Sequence, residues 1–156
     1  MAIAMTIQQY LSDRGVEYDT VTHTATGSSM ETAQASKVMA SSVAKGVLLK
    51  TDLGYLLAVL PATHHIQFAE LKKHLDQTAE LASEDEIGTL FQDCDLGAVP
   101  ALGAAYGVPA IVDDSLSDVL DVYIEGGDHT TLVHLTGAEF QGLVSDATHA
   151  RFSVRD

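Results

Sequence analysis

The residues best suited to chemistry lie in one stretch, Asp95-Leu96-Gly97-Ala98-Val99-Pro100-Ala101-Leu102-Gly103. Two glycines and a proline interrupt a run that is otherwise apolar. Glycine lets the backbone reach positive φ and approach a ligand closely, while proline fixes φ and gives up its N–H. A loop built this way can leave neighbouring N–H groups pointing into a cleft, where a carbonyl oxygen or a phosphate suits them. The amides around Gly97 and Ala98 are therefore candidates to stabilise a developing oxyanion. The same pattern also describes a rigid turn between a helix and a strand.

Other reactive side chains are scattered. Lys45 lies near the start of an apolar strand pattern, where it is either functional or a charge guarding an edge. Cys94 adjoins the loop as a possible nucleophile or a small buried hydrophobe. His64 and His65 are adjacent, so they point different ways and make a poor metal pair. Asp113 and Asp114 suit either a divalent cation or a helix cap before Ser115. His129 stands after Gly126-Gly127-Asp128 in a hairpin pattern. No Ser-His-Asp order and no general base stand out at the loop, and no metal site or cofactor is expected.

Charge narrows the partners. The formal net charge is -14, and no Lys or Arg occurs between His74 and Ala150. A broad basic face for nucleic acid is excluded, so any such contact must be small and local. The acid excess itself suits solubility or a salty cytoplasm. The 156 residues, 46% hydrophobic, suffice for one domain with one substantial core, taken as 1–156. A single cysteine rules out an internal disulfide and, with no span or leader pattern, points to the cytoplasm.

The elements that must hold the loop follow from periodicity. Thr6 to Arg14 is helical, with Ile7, Tyr10 and Leu11 on one face, and Val16–Val21 alternates as a strand. His23 to Ser29 reads as a polar loop, after which Ser29 or Thr32 caps a helix through Ala33, Ala35 and Val38. Val43–Lys50 and Tyr55–Leu60 form strands across Asp52-Leu53-Gly54, the second nearly all apolar and so central. Phe68–Leu75 is a helix and Ala79–Ala82 a short strand. Ser83 and Glu86 make a capping box for a helix through Ile87, Leu90 and Phe91. Ala110–Asp113 is a short buried strand. Val122–Glu125 pairs across the glycines with His129–Leu135, and Thr136 caps a last helix through Phe140 and Leu143. The fold class is mixed α/β, a largely antiparallel sheet wrapped by helices.

Lys45 on a strand, the GAVPALG loop, the Ile-Val-Asp strand and the Gly-Gly hairpin, in that order, resemble the YbaK family, which shares its domain with the editing insertion of bacterial prolyl-tRNA synthetases. The resemblance spans roughly Thr6 to Leu143 and implies trans-acting deacylation of mischarged tRNA. The substrate it implies is a small amino acid such as Ala or Cys, with tRNA for proline foremost. Lys45 then matches a lysine that holds the terminal phosphate of the acceptor end. Gly97 and Pro100 belong to the substrate loop, Asp113 matches an acid near the pocket, and His129 sits where a side chain can touch the amino acid. Relatives often carry proline where this chain has Ala101. An aminoacyl ester is already activated, so its hydrolysis needs only a positioned water and an oxyanion stabiliser, and by resemblance the substrate's own ribose hydroxyl helps place the water. Two alternatives remain: a non-catalytic module that docks aminoacyl-tRNA or a synthetase, and a hydrolase of another small ester. The partner implied is the acceptor end of aminoacyl-tRNA, with an aminoacyl-tRNA synthetase as a second candidate.

Overall fold

Two apolar strands organise the molecule. In the computed structural model, which describes residues 3–24 and 28–156, β2 (Val43–Thr51) and β3 (Gly54–Pro61) pair antiparallel over their whole length, from Ala44 opposite Pro61 to Thr51 opposite Gly54. Both strands are covered on both faces, which explains why Tyr55–Leu60 shows no polar alternation. Around this pair the sheet runs β1-β8-β7-β2-β3-β6-β9, with β5 (Ala79–Leu81) pairing the far end of β2. Here β1 is Asp19–Thr22, β6 Ala110–Asp113, β7 Asp121–Glu125, β8 Thr131–Thr136 and β9 Thr148–Ala150. The β2–β7, β3–β6 and β6–β9 contacts are parallel and the rest antiparallel. A separate ribbon pairs β4 (His64–Ile66) with β10 (Ser153–Arg155).

Alternation along β2 sorts the core into two sides. Ala44 and Leu48 turn to the larger cluster, with Ile7 and Leu11 of α1 (Met5–Asp13) and Phe140 of α5 (Gly137–Leu143). Val43 and Leu49 turn the other way. Leu49 packs with Leu71 of α3 (Phe68–Leu75) and with Phe152, and Val43 packs with Ala33 of α2 (Ser29–Ser36). The expected capping box is formed at Ser83/Glu86, before α4 (Glu84–Leu90), and the expected Thr136 cap proves to be a box as well, with Glu139. The cap of α2 is Ser28, whose hydroxyl accepts from the Glu31 amide, rather than Ser29 or Thr32. The polar loop expected between His23 and Ser29 falls partly on residues 25–27, outside the described residues. Strand β1 begins only at Asp19, and β4, β9 and β10 are additions to the expected set. They are three-residue strands, too short for alternation to mark. No helix among the described residues is long and apolar enough to cross a membrane.

Candidate active site

The glycine loop docks onto the β7–β8 hairpin. The Asp95 amide donates to the Gly127 carbonyl at 2.7 Å, and His129 Nε2 bonds the Leu96 carbonyl. Because a carbonyl only accepts, that nitrogen carries the proton. Gly97 has φ +83°, and a Cβ there would lie 3.3 Å from the His129 ring. The left-handed backbone favours glycine, and a side chain here would also press on the His129 ring. His129 is itself left-handed, at φ +62°, a conformation uncommon outside glycine and asparagine. The two groups that the sequence places 32 residues apart thus form one contact at the end of the sheet.

The rest of the loop is buried. The Ala98 amide donates to the Asp95 carbonyl at 3.0 Å and the residue is fully covered, so this N–H closes a turn and does not face a ligand. Among the described residues the Gly97 amide has no such acceptor. Pro100 is buried with its carbonyl against β2, where a Cβ on Gly46 would meet it at 3.3 Å. Gly46 turns toward the loop, so its neighbour Lys45 turns to the opposite face of the sheet. There Lys45 Nζ donates to the His64 carbonyl at 2.6 Å. Burial lowers the Lys45 pKa, and nearby Asp156 opposes that shift.

Asp113 is built into the fold. One carboxylate oxygen accepts from the Phe152 and Ser153 amides, both at 2.9 Å, and the other from the Ser115 amide at 3.1 Å and the Ser115 hydroxyl. Burial pushes its pKa up, but these hydrogen bonds outweigh it and the net shift is downward. With four donors of its own chain around it, Asp113 braces β10. Its effect reaches Lys45 indirectly: β10 pairs β4, and β4 presents the His64 carbonyl. Arg151 and Arg155 line a depression of about 390 Å³ with His64, Asp113 and Ser153. The cation-site alternative for Asp113 and Asp114 gives way to the cap, since Asp113 caps the short turn Asp114–Leu116, and the described residues hold no cluster of metal-ligating side chains. Burial, partly offset by the bond to Tyr106, pushes the Cys94 thiol up to about 11, which makes it a poor nucleophile.

A polar row that sequence reading missed crosses the sheet beneath α2. His23 follows β1, and its amide donates to the Thr130 carbonyl at 2.7 Å. Thr130 leads into β8, and Glu125 ends β7. Glu125 follows Ile124, the partner of Ala44, and so comes level with Lys45. Alternation puts Glu125 and Lys45 on one face of β7 and β2, with His23 just past β1 and Thr130 just before β8 beside them. Glu125 Oε1 accepts from the Thr32 hydroxyl of α2 at 3.2 Å. Burial raises the Glu125 pKa, against the pull of His23, Thr32 and His129. The available signal was the phase of Val122-Tyr123-Ile124-Glu125, which sets an acid on the opposite face from two core residues. The open trough of about 580 Å³ around Val16–Asp19, His134 and Glu139 contains none of these residues.

The fold places the chain among small α/β domains of known structure. It matches the crystal structure of a hypothetical protein with a TM-score of 0.84 at 20% identity, covering 96% of this chain and 99% of the other. It matches a candidate trans-editing enzyme for prolyl tRNA synthetase with a TM-score of 0.84 at 22% identity, covering 96% and 95%. A candidate signal transduction protein from Marinobacter aquaeolei VT8 matches with a TM-score of 0.79 at 21% identity, covering 96% of this chain and 30% of that one. No curated protein gives a sequence match. Residues 23–143 match the aminoacyl-tRNA editing domain, and the chain belongs to that family. The matched range begins at His23 and contains the loop, the hairpin and the polar row.

Proposed function

We propose that this protein hydrolyses, in trans, the ester of a mischarged aminoacyl-tRNA carrying a small amino acid such as Ala or Cys. Alanyl-tRNA for proline is the first substrate to test. The observation that carries the reading is the contact between Gly97 and His129 inside the family-matched region: a left-handed glycine with an open amide, held against an imidazole whose Nε2 proton is committed to the Leu96 carbonyl. The open Gly97 amide is suited to the tetrahedral oxyanion. His129 sets the loop's position and closes one wall. Lys45, beside the depression lined by Arg151 and Arg155, holds acceptor-end phosphate. No protein nucleophile is required, because the ester is activated and the ribose hydroxyl orients water.

The Ala98 amide, already paired, favours a second reading, a non-catalytic module that docks aminoacyl-tRNA or a synthetase. Release of amino acid from a panel of mischarged tRNAs separates the two. The deacylase reading expects at least one member to be cleaved well above the buffer rate, and Gly97→Val to abolish that cleavage. Val at this φ strains the backbone by about 1–3 kcal/mol and puts a branched side chain against His129. A panel with no member cleaved faster than in buffer leaves the docking module.

A further inference from the structure

The polar row beneath α2 has a chemical shortage. Among the described residues, Glu125 Oε2, His23 Nε2 and Thr130 Oγ1 are buried without a hydrogen-bond partner. Such groups are costly to bury unpaired and call for an explanation. His23 Nδ1 bonds the Thr24 carbonyl at 2.7 Å, so in the neutral ring that nitrogen carries the proton and Nε2 offers a lone pair. Glu125 Oε2 is a further acceptor, and a threonine hydroxyl accepts as readily as it donates. With His23 neutral, two acceptors, Glu125 Oε2 and His23 Nε2, therefore stand near each other, with the Thr130 hydroxyl at the entry to β8. The cation level with them, Lys45, is drawn away to the His64 carbonyl and Asp156. Glu125 and His23 each keep 7% of their surface, so the row is nearly but not fully enclosed.

A primary ammonium has three donors and no acceptor. We propose that Glu125, with His23 and Thr130, receives the α-ammonium group of the substrate's amino acid, which makes it the feature that distinguishes an aminoacyl ester from other acyl esters. The inference rests on the proposed function, since it names what part of that substrate the row reads.

The test uses two stable adenosine probes, 3′-deoxy-3′-(L-alanylamido)adenosine and its L-lactylamido counterpart, in which a hydroxyl replaces the ammonium. Binding of each is measured by calorimetry to the whole chain and to Glu125→Gln, with the hydrolysis panel run in parallel. The unsubstituted chain is expected to bind the alanyl probe about tenfold or more tightly than the lactyl probe, as charge-assisted hydrogen bonds would give. Glu125→Gln is expected to bind the two within about twofold, through loss of the alanyl probe alone. Thr130→Val, which leaves the carboxylate in place, should weaken the alanyl probe by about three- to tenfold and spare the lactyl probe. Equal affinities in the unsubstituted chain, no binding of the alanyl probe, or an unchanged preference in Glu125→Gln would each overturn the proposal. A preference for the alanyl probe without cleavage of any mischarged tRNA keeps the ammonium site and removes the deacylase reading. Cleavage without the preference does the reverse.

Discussion

Two buried carboxylates stand at opposite ends of this molecule's economy of hydrogen bonds. Asp113, 1% exposed, is surrounded by four donors from its own chain and its pKa is pulled below the ordinary carboxylate range. Glu125, 7% exposed, has one bond from a threonine hydroxyl, a second oxygen with none, and a pKa raised by burial. Both are acids at the C-terminal ends of short apolar strands, Ala-Ile-Val-Asp and Val-Tyr-Ile-Glu. Sequence pattern hardly separates them. Their surroundings do: one holds the fold together, and the other is a group the fold leaves unmatched. The hydrogen bonds of Asp113 tie it into the framework at the edge of the depression that it lines.

The largest effect tests the framework half of the contrast. Asp113→Ala leaves the buried amides of Phe152 and Ser153 without their acceptor and frees β10 from the end of β6. The expected loss is about 3–5 kcal/mol, or roughly 10 °C of melting temperature for a domain of this size. Urea unfolding measures it. Because the folded pKa is depressed, the contribution of Asp113 is complete above the unfolded value near pH 4 and disappears as pH falls through the folded one. A melting temperature within a degree or two of the unsubstituted chain would return Asp113 to the list of ligand contacts.

Lys45 comes next, and its effect belongs to function. On the proposed phosphate role, Lys45→Ala removes a charge-assisted contact worth about 1.5–3 kcal/mol. Deacylation at sub-saturating substrate should fall about ten- to a hundredfold. Stability should change far less, because the ammonium makes a single bond, to the His64 carbonyl. Full activity in the variant would remove the phosphate role while leaving the Gly97–His129 contact untouched. Unfolding would make the lysine a brace between β2 and β4.

Much of this framework was legible beforehand, for identifiable reasons. Helix α3, strands β2, β3 and β6, the β7–β8 hairpin, the Ser83/Glu86 capping box and the Thr136 cap follow from period, turn chemistry and cap residues, all of them local signals. What escaped depends on pairing between distant segments. The β4–β10 ribbon joins residues near 65 to residues near 154. The polar row gathers residues in or next to four strands whose order, β1-β8-β7-β2, no local pattern reveals. The paired Ala98 amide escaped for a different reason: composition marks a glycine-proline loop, but only backbone geometry says which of its N–H groups is left open. Gly97 and His129 were each singled out, but their contact was not foreseen.

The smallest expected effect sharpens the contrast most, because it concerns a sign. Glu125→Gln keeps the volume and the acceptor for the Thr32 hydroxyl while removing the charge, so at neutral pH the stability change should stay within about 1 kcal/mol. The pH dependence carries the information. Burial raises the folded pKa of Glu125 above its unfolded value of about 4.3, and the imidazoles of His23 and His129 oppose this without cancelling it, while Asp128 adds to it. The folded state then holds the proton over a pH range in which the unfolded state has released it. By linkage, stability is complete below the unfolded pKa and is lost as pH rises through the folded one, the reverse of Asp113. The unsubstituted chain should therefore lose ground to Glu125→Gln between about pH 4 and the upper end of that range, read from urea unfolding at a series of pH values. Addition of the alanylamido probe should cancel the trend for the unsubstituted chain, since an ammonium beside the carboxylate favours its charged form. A difference curve that is flat, or that slopes the other way, would mean Glu125 is as well matched in the folded state as Asp113, and the distinction between the two acids would fail.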